Sequence, residues 1–393
     1  MDALAFPVQP LPPWKRAVLK VGSSLLAAEG GGLSPRFALG LAQFVLASRQ
    51  AGREVVIVSS GAVAAGRAVL PRAADGAPTI AAKQALAALG QAQLVGLWQR
   101  FFEAPVAQVL LTHDDLRDRR RYLNARGALL ELLRLGAVPV VNENDTVAVD
   151  ELKLGDNDNL AAAVASLVDA ELLLIATDIA GLYSAHPGHD PAARPVARVE
   201  AITPAVLGMA GDAGALGTGG MRTKLEAAAK AAAAGISTAL FSGRDATAVA
   251  ALGQGELRGT LVDAQGSRLR ARKQWLRHAP AAGVLDVDAG ACAALLRGAS
   301  LLPGGVRGVT GEFRRGDVIE VRAADGTVLA RGQAQYSARD GARIAGRHSR
   351  EIEAVLGFHY DEAMIHRDDL VLLHAAGHPA AEPQGETNGE TTA

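Results

Sequence analysis

The sequence predicts an α/β chain: a mostly parallel sheet sandwiched by helices, followed by a small, mainly-β barrel. Three observations carry that reading. Short apolar runs alternate with longer helical patterns from Trp14 to Asp263, and polar clusters stand where those runs end. Beyond about Gly283 the segments become short, glycine-broken and alternating, as in Asp317-Val-Ile-Glu-Val-Arg322. Continuous Val/Ile/Leu strands between helices imply a sheet covered on both faces. In such sheets ligands bind beyond the carboxyl ends of the strands.

Taken in order, the apolar runs predict strands over Arg16–Val21, Val55–Ser59, Val106–Thr112, Ala137–Asn142, Leu172–Ala176 and Thr238–Phe241. Helical patterns fall between them, over Pro35–Gln50, Ile80–Phe102, Tyr122–Leu135, Asn159–Val168 and Arg222–Ala234. The α/β domain is thus expected over 14–263. A basic stretch with Arg268, Arg270, Arg272, Lys273 and Arg277 reads as a linker over 264–282. The β domain covers 283–372, and residues 373–393, poor in apolar anchors, read as a disordered tail.

Composition narrows the class. A 49% hydrophobic chain of 393 residues can bury a large core, and a net charge of −1 argues against charge-driven binding to nucleic acid or membrane. One cysteine, Cys292, excludes an intramolecular disulfide and suits a reducing compartment. The N-terminus, with Pro7, Pro10, Pro12 and Pro13, lacks a secretory pattern, and no apolar run is long enough to span a bilayer, so the cytoplasm is the expected location.

Two glycine-linked lysines carry the chemistry. Gly217-Thr-Gly-Gly-Met-Arg-Thr-Lys224 opens an alanine-rich helix, and Arg16-Ala-Val-Leu-Lys20-Val-Gly22-Ser23-Ser24 reads as strand, phosphate-holding turn, helix. Glycines let backbone approach a ligand, and a helix start offers free N–H groups to anions. Of 40 cationic residues only seven are lysines, so a retained lysine points to a need for a compact ammonium. No Gly-Lys dipeptide and no Gly-x-Gly-x-x-Gly occur, which argues against a P-loop and against a dinucleotide fold.

Polar clusters fall at successive strand ends: Ser59-Ser60-Gly61-Ala62, Asn142-Glu143-Asn144-Asp145 and Thr177-Asp178, with Gly155-Asp-Asn-Asp-Asn159 ahead of a helix. Each alone fits a turn or a cap; together with two lysines they suit phosphoryl transfer, where positive charge and loop amides balance the moving group. No histidine falls in these clusters, as befits a carboxylate acceptor that needs no general base. His113 and His186 lack metal-ligand company, and Cys292 lacks a histidine partner, so structural roles are expected for all three.

These motifs resemble the amino-acid kinase superfamily and, within it, the glutamate 5-kinases. The likeness rests on Lys20–Ser24, Ile57-Val-Ser-Ser-Gly-Ala-Val-Ala-Ala-Gly66, Pro139-Val-Val-Asn-Glu-Asn-Asp145, Gly155–Asn159, Thr177-Asp-Ile-Ala-Gly-Leu-Tyr183 and Gly217–Lys224. Gly298-Ala-Ser-Leu-Leu-Pro-Gly-Gly305 and Val309–Asp317 resemble a PUA domain, and Ile344–Ile352 continues the likeness to glutamate kinases of the two-domain type.

The resemblance implies ATP-dependent phosphorylation of the L-glutamate side-chain carboxylate, the first step of proline synthesis. It implies Lys20, Lys224 and Asp158 as the catalytic set, and Ser60, Asp145 and Asn157 as glutamate-binding positions. It places nucleotide on Lys20, Gly22, Ser23, Thr177, Asp178, Thr218, Gly219, Gly220, Met221, Arg222, Thr223 and Lys224. It implies Mg2+ with no protein ligand assigned, proline as feedback inhibitor, and a homo-oligomer, dimer or tetramer. Arg222 and His186 depart from the family pattern. Another kinase of the superfamily, acting on acetylglutamate, aspartate or a nucleotide, is the nearest alternative. RNA binding through the PUA domain is the other, opposed by its balance of eleven Arg and no Lys against eight Asp and five Glu over 283–372.

Overall fold

The computed structural model describes residues 4–29, 31–70, 79–148, 157–210, 220–266, 273 and 276–373. It divides into two units, Met1–Ala271 and Arg272–Ala393. The expected tail beyond residue 373 lies outside the described residues.

In the first unit, among the described residues, nine strands share one sheet: β1 (Val8–Pro10), β2 (Arg16–Val21), β3 (Glu54–Ser59), β4 (Val106–Leu111), β5 (Val138–Glu143), β6 (Leu172–Thr177), β7 (Arg198–Val199), β8 (Ser237–Ser242) and β9 (Glu256–Val262). Their order is β1-β9-β8-β6-β2-β3-β5-β4, with β7 beside β9. The six strands predicted from apolar runs are all present and mutually parallel. β9 is antiparallel to β8, and β1 to β9.

The strands at the β1 end of the sheet are the ones the apolar runs do not announce. β9 alternates exposed and buried residues at its start, and β1 carries Pro10, tolerable at an edge where its missing N–H is not needed. The Gln9 amide nonetheless donates to the carbonyls of Ala197 and Gly259, at 2.7 and 3.0 Å. The sheet therefore begins at Val8, ahead of the expected boundary at residue 14.

Ten helices are described in this unit: α1 (Ser23–Leu26), α2 (Ala38–Gln50), α3 (Ala62–Val69), α4 (Ile80–Gln99), α5 (His113–Arg117), α6 (Arg119–Arg134), α7 (Asn157–Leu167), α8 (Pro204–Gly208), α9 (Met221–Ala233) and α10 (Ala246–Gly253). Strand side chains alternate between two cores. Leu19, Val21, Ile57, Leu174 and Phe241 pack toward α2, α4 and α10. Val18, Val56, Leu173, Ile175 and Leu240 pack toward α6, α7 and α9. By the same alternation Lys20 shares the face of Val18, and so meets α7 and α9.

α3 and α4 cross at backbone contact. A Cβ on Gly66 would lie 1.9 Å from the Leu86 carbonyl oxygen, and one on Gly90 would lie 1.8 Å from that of Ala62. Only glycine fits at either position, which accounts for the closing glycine of the Ile57–Gly66 motif.

The second unit holds a five-stranded sheet of β10 (Gly283–Val287), β11 (Val306–Gly311), β12 (Val318–Arg322), β13 (Val328–Gln333) and β14 (Leu370–Leu372), ordered β11-β10-β12-β13-β14. β10 and β12 are parallel and the other pairs antiparallel. Helices α11 (Ala289–Leu296), α12 (Ala338–Ile344) and α13 (Ile352–Leu356) accompany it around a core that includes Leu285, Ile319, Val321, Tyr336 and Ile365. Leu276 and Ala279 are buried with Val318 and Val371, so the end of the basic stretch packs onto this unit rather than serving only as linker. Cys292 packs beside the same core, and burial raises its thiol pKa, as befits an unreactive side chain.

Candidate active site

β2 is the strand from which the chain departs in both directions across the sheet, with β3 on one side and β6 on the other. Lys20 lies on β2 one residue before its end, on the strand rather than in the glycine turn that follows. Asp158 and Lys224 sit in the first turns of α7 and α9, the two helices packed against that face.

These three side chains form one ionic group. Lys20 Nζ is 2.7 Å from Asp158 Oδ1, and Lys224 Nζ is 3.2 Å from Asp158 Oδ2. The Thr223 hydroxyl lies 2.8 Å from Asp158 Oδ2 and 2.9 Å from the Gly220 carbonyl oxygen. Lys20 and Lys224 are each 5% exposed and Asp158 1%. Burial alone would raise the Asp158 pKa, but the Lys20 and Lys224 ammonium groups outweigh it and hold the carboxyl below its usual range. Two buried ammonium groups thus share one carboxylate, and burying charged groups is favourable only where they are paired.

A second group joins the first through the neighbouring residue. Asn157 Nδ2 donates to Ser60 Oγ at 2.7 Å and to Asn142 Oδ1 at 2.9 Å. Asn142 Nδ2 in turn donates to Gln91 Oε1 at 2.9 Å. Ser60 follows β3, Asn142 lies in β5, and Gln91 is on the buried face of α4. Asn157 Oδ1 and Gln91 Nε2 are buried with no hydrogen-bond partner. α4 is pinned again where Trp98 Nε1 donates to Ser59 Oγ at 3.0 Å.

Other expected residues fall at the ends of the neighbouring strands and helices. Asp145 follows β5; burial first, and the Glu143 charge second, push its pKa up to about 6. Thr177 ends β6, and its hydroxyl donates to Asp178 Oδ1 at 3.1 Å. Gly22 precedes Ser23 at the start of α1, and a Cβ on Gly22 would lie 3.7 Å from Lys20 Nζ. Gly220 is the N-cap of α9 and supplies no side-chain cap, so the N–H groups of its first turn have no side-chain partner there. Met221 packs at the rim of the α7/α9 core. Arg222 is turned along the helix surface, 3.1 Å from Glu226. Thr218, Gly219, Gly155 and Asp156 lie outside the described residues. No hydrogen bond or ion pair links Asp145 directly to Asn157 or Asp158.

The His186 and His189 rings lie 4.4 Å apart, centroid to centroid, tilted 38° to one another. Among the described residues no three His, Cys, Asp or Glu side chains could hold a metal together. Gln91 is the residue of this hydrogen-bonded group that motif reading misses. Its signal was a glutamine on the same helical stripe as the buried Ala87, Leu94 and Trp98.

The model of the amino acid kinase family matches residues 15–242, and that of the PUA domain residues 283–356. The chain belongs to the amino acid kinase family. It is 70% identical over 362 residues to the glutamate 5-kinase of Xanthomonas euvesicatoria pv. vesicatoria, covering 91% of this chain and all of that one. It is 64% identical over 375 residues to the glutamate 5-kinase of Xylella fastidiosa strain M12, covering 94% of this chain and 98% of that one. Within the family it therefore falls among the glutamate 5-kinases.

Proposed function

We propose that this chain transfers the terminal phosphoryl group of ATP to the side-chain carboxylate of L-glutamate, giving L-glutamyl 5-phosphate and ADP. The observation that carries the reading is the buried Lys20–Asp158–Lys224 group, two ammonium groups held on one carboxylate. Asn157, to which the family likeness attaches glutamate, is the sequence neighbour of Asp158 and bonds to Ser60 and Asn142.

A glutamate carboxylate oxygen attacks the γ-phosphorus as the bond from that phosphorus to the β–γ bridging oxygen breaks. The electron pair leaves with ADP, and no proton moves. A general base is therefore unnecessary, and the polar residues of the site include no histidine. Asp158 holds the two ammonium groups apart and aimed, so that Lys20 and Lys224 meet charge developing on the transferring group without reorganising. Gly22 and Ser23, and Thr218 to Lys224, cradle the phosphates, while Thr177 and Asp178 lie toward the rest of the nucleotide. Because Asp158 is spent on two cations, magnesium enters as the nucleotide's own counter-ion.

Glutamate carries an ammonium and two carboxylates. Ser60 Oγ accepts from Asn157, which leaves its O–H to donate to a carboxylate. Asn157 Oδ1 and the Asp145 carboxylate are the acceptors for the ammonium. Proline, an amino acid of similar backbone charge, competes for the same groups, and the enzyme works in the cytoplasm as a homo-oligomer. ADP release tests the reading: it should require L-glutamate and be weak with N-acetylglutamate or L-aspartate. Equal release with N-acetylglutamate would overturn the substrate assignment.

A further inference from the structure

We infer that Gln91 is a positioning residue that sets which end of the Asn157 amide faces the substrate, and so selects a free ammonium group. The inference rests on the proposed use of Asn157 for glutamate.

The argument is one of hydrogen-bond sense. An amide has one accepting end and one donating end, and a chain of amides must alternate them. Here the chain starts at Gln91, whose Oε1 takes a hydrogen from Asn142 Nδ2. Asn142 is left with Oδ1 toward Asn157, which must then present Nδ2. The second hydrogen of that Nδ2 goes to Ser60 Oγ. Both Asn157 donors are now used, and its buried Oδ1 is left over as an acceptor. An acceptor there suits an ammonium and is poorly matched to a group without N–H. Reversed at Gln91, the same chain would turn the Asn157 donors into the site and repel a cation.

The fold puts Gln91 within reach of Asn142. The preceding residue, Gly90, touches the Ala62 carbonyl so closely that no side chain fits, and this lets α4 lie at backbone contact with α3. Trp98, two helical turns on from Gln91, ties the same helix to Ser59 at the end of β3. Gln91 itself is 8% exposed, with its Nε2 unpartnered, so among the described residues its side-chain hydrogen bond is the one to Asn142.

The test compares unaltered protein, Gln91→Met and Gln91→Glu. Methionine keeps the volume and removes the acceptor; glutamate keeps an acceptor. Each is assayed for KM and kcat with L-glutamate and with glutarate, which lacks the amino group. Leaving a buried amide unsatisfied should raise the glutamate KM of Gln91→Met about 5- to 100-fold, with kcat and the KM for ATP changed much less. The preference for glutamate over glutarate should shrink in parallel, and Gln91→Glu should recover most of it. A general loss of packing would slow both acids alike. An unchanged glutamate-to-glutarate ratio in active Gln91→Met would overturn the inference alone. Failure of the unaltered protein to phosphorylate glutamate would overturn the proposed function and the inference with it.

Discussion

Replacing Asp158 by Asn removes the single carboxylate that two buried ammonium groups share. Lys20 and Lys224, each 5% exposed, lose a partner at 2.7 and 3.2 Å in a place nearly closed to solvent. Removing one member of a buried ionic group costs about 3–5 kcal/mol, because the charges left behind stay desolvated. For a unit of this size each kcal/mol moves Tm by about 2–4 °C, so a fall of roughly 6–20 °C is expected. Thermal unfolding followed by circular dichroism measures it. Two further signs separate this cause from loose packing. The phosphates of a non-hydrolysable ATP analogue supply negative charge, so the analogue should raise Tm more in Asp158→Asn than in unaltered protein. The Asp158 carboxyl is held below its usual range, so its stabilising contribution is present above the unfolded-state pKa and is lost as pH falls through the lowered one. The difference between the two proteins should therefore be constant near neutrality and narrow only below about pH 4. A Tm within about 2 °C of the unaltered protein would refute the reasoning, since that corresponds to 1 kcal/mol or less.

Other expectations follow from the same geometry. Lys224→Ala should lower kcat by about 3 kcal/mol of barrier, roughly 100-fold, the scale for one preorganised charge donor, with a smaller change in the glutamate KM; near-full turnover would remove Lys224 from the mechanism. Asp145 must be ionised to hold an ammonium, and its pKa is about 6. The glutamate KM should therefore climb as pH drops through that value, and Glu143→Gln should move the midpoint lower, because the Glu143 charge helps raise it. Gly90→Ala would force a Cβ to 1.8 Å from the Ala62 carbonyl oxygen. It should destabilise the fold by about 1–3 kcal/mol or more, read from denaturant midpoints.

The central parallel strands were legible because they are buried on both faces and so carry an unbroken apolar run, as in Leu172-Leu-Leu-Ile-Ala176. β1 and β9 were not: β1 is a three-residue edge strand with no buried residue, and β9 begins by alternating exposed and buried residues. Lysine scarcity pointed to Lys20 and Lys224 before any geometry was known, and strand-end position pointed to Ser60, Thr177 and the Asn/Asp clusters. What sequence could not supply was pairing. Asp158 and Asn159 are neighbours of similar character, yet Asp158 grips both site lysines, while Asn159 Oδ1 accepts from Lys230 at 2.6 Å. Helix phase decides that difference, and it depends on where α7 begins. The role of Gln91 was hidden for a related reason: it needs α4 to touch α3 at two glycines, a tertiary contact that local pattern does not encode.

The most direct test of the account is to trap the product. Protein given magnesium, ATP and hydroxylamine is supplied with L-glutamate, N-acetylglutamate or L-aspartate in parallel, and an acyl phosphate is caught as its coloured hydroxamate. The account predicts hydroxamate with L-glutamate, suppressed by proline and nearly abolished in Lys224→Ala. Hydroxamate from another acid in preference to L-glutamate, or none from any acid with folded protein, would contradict it.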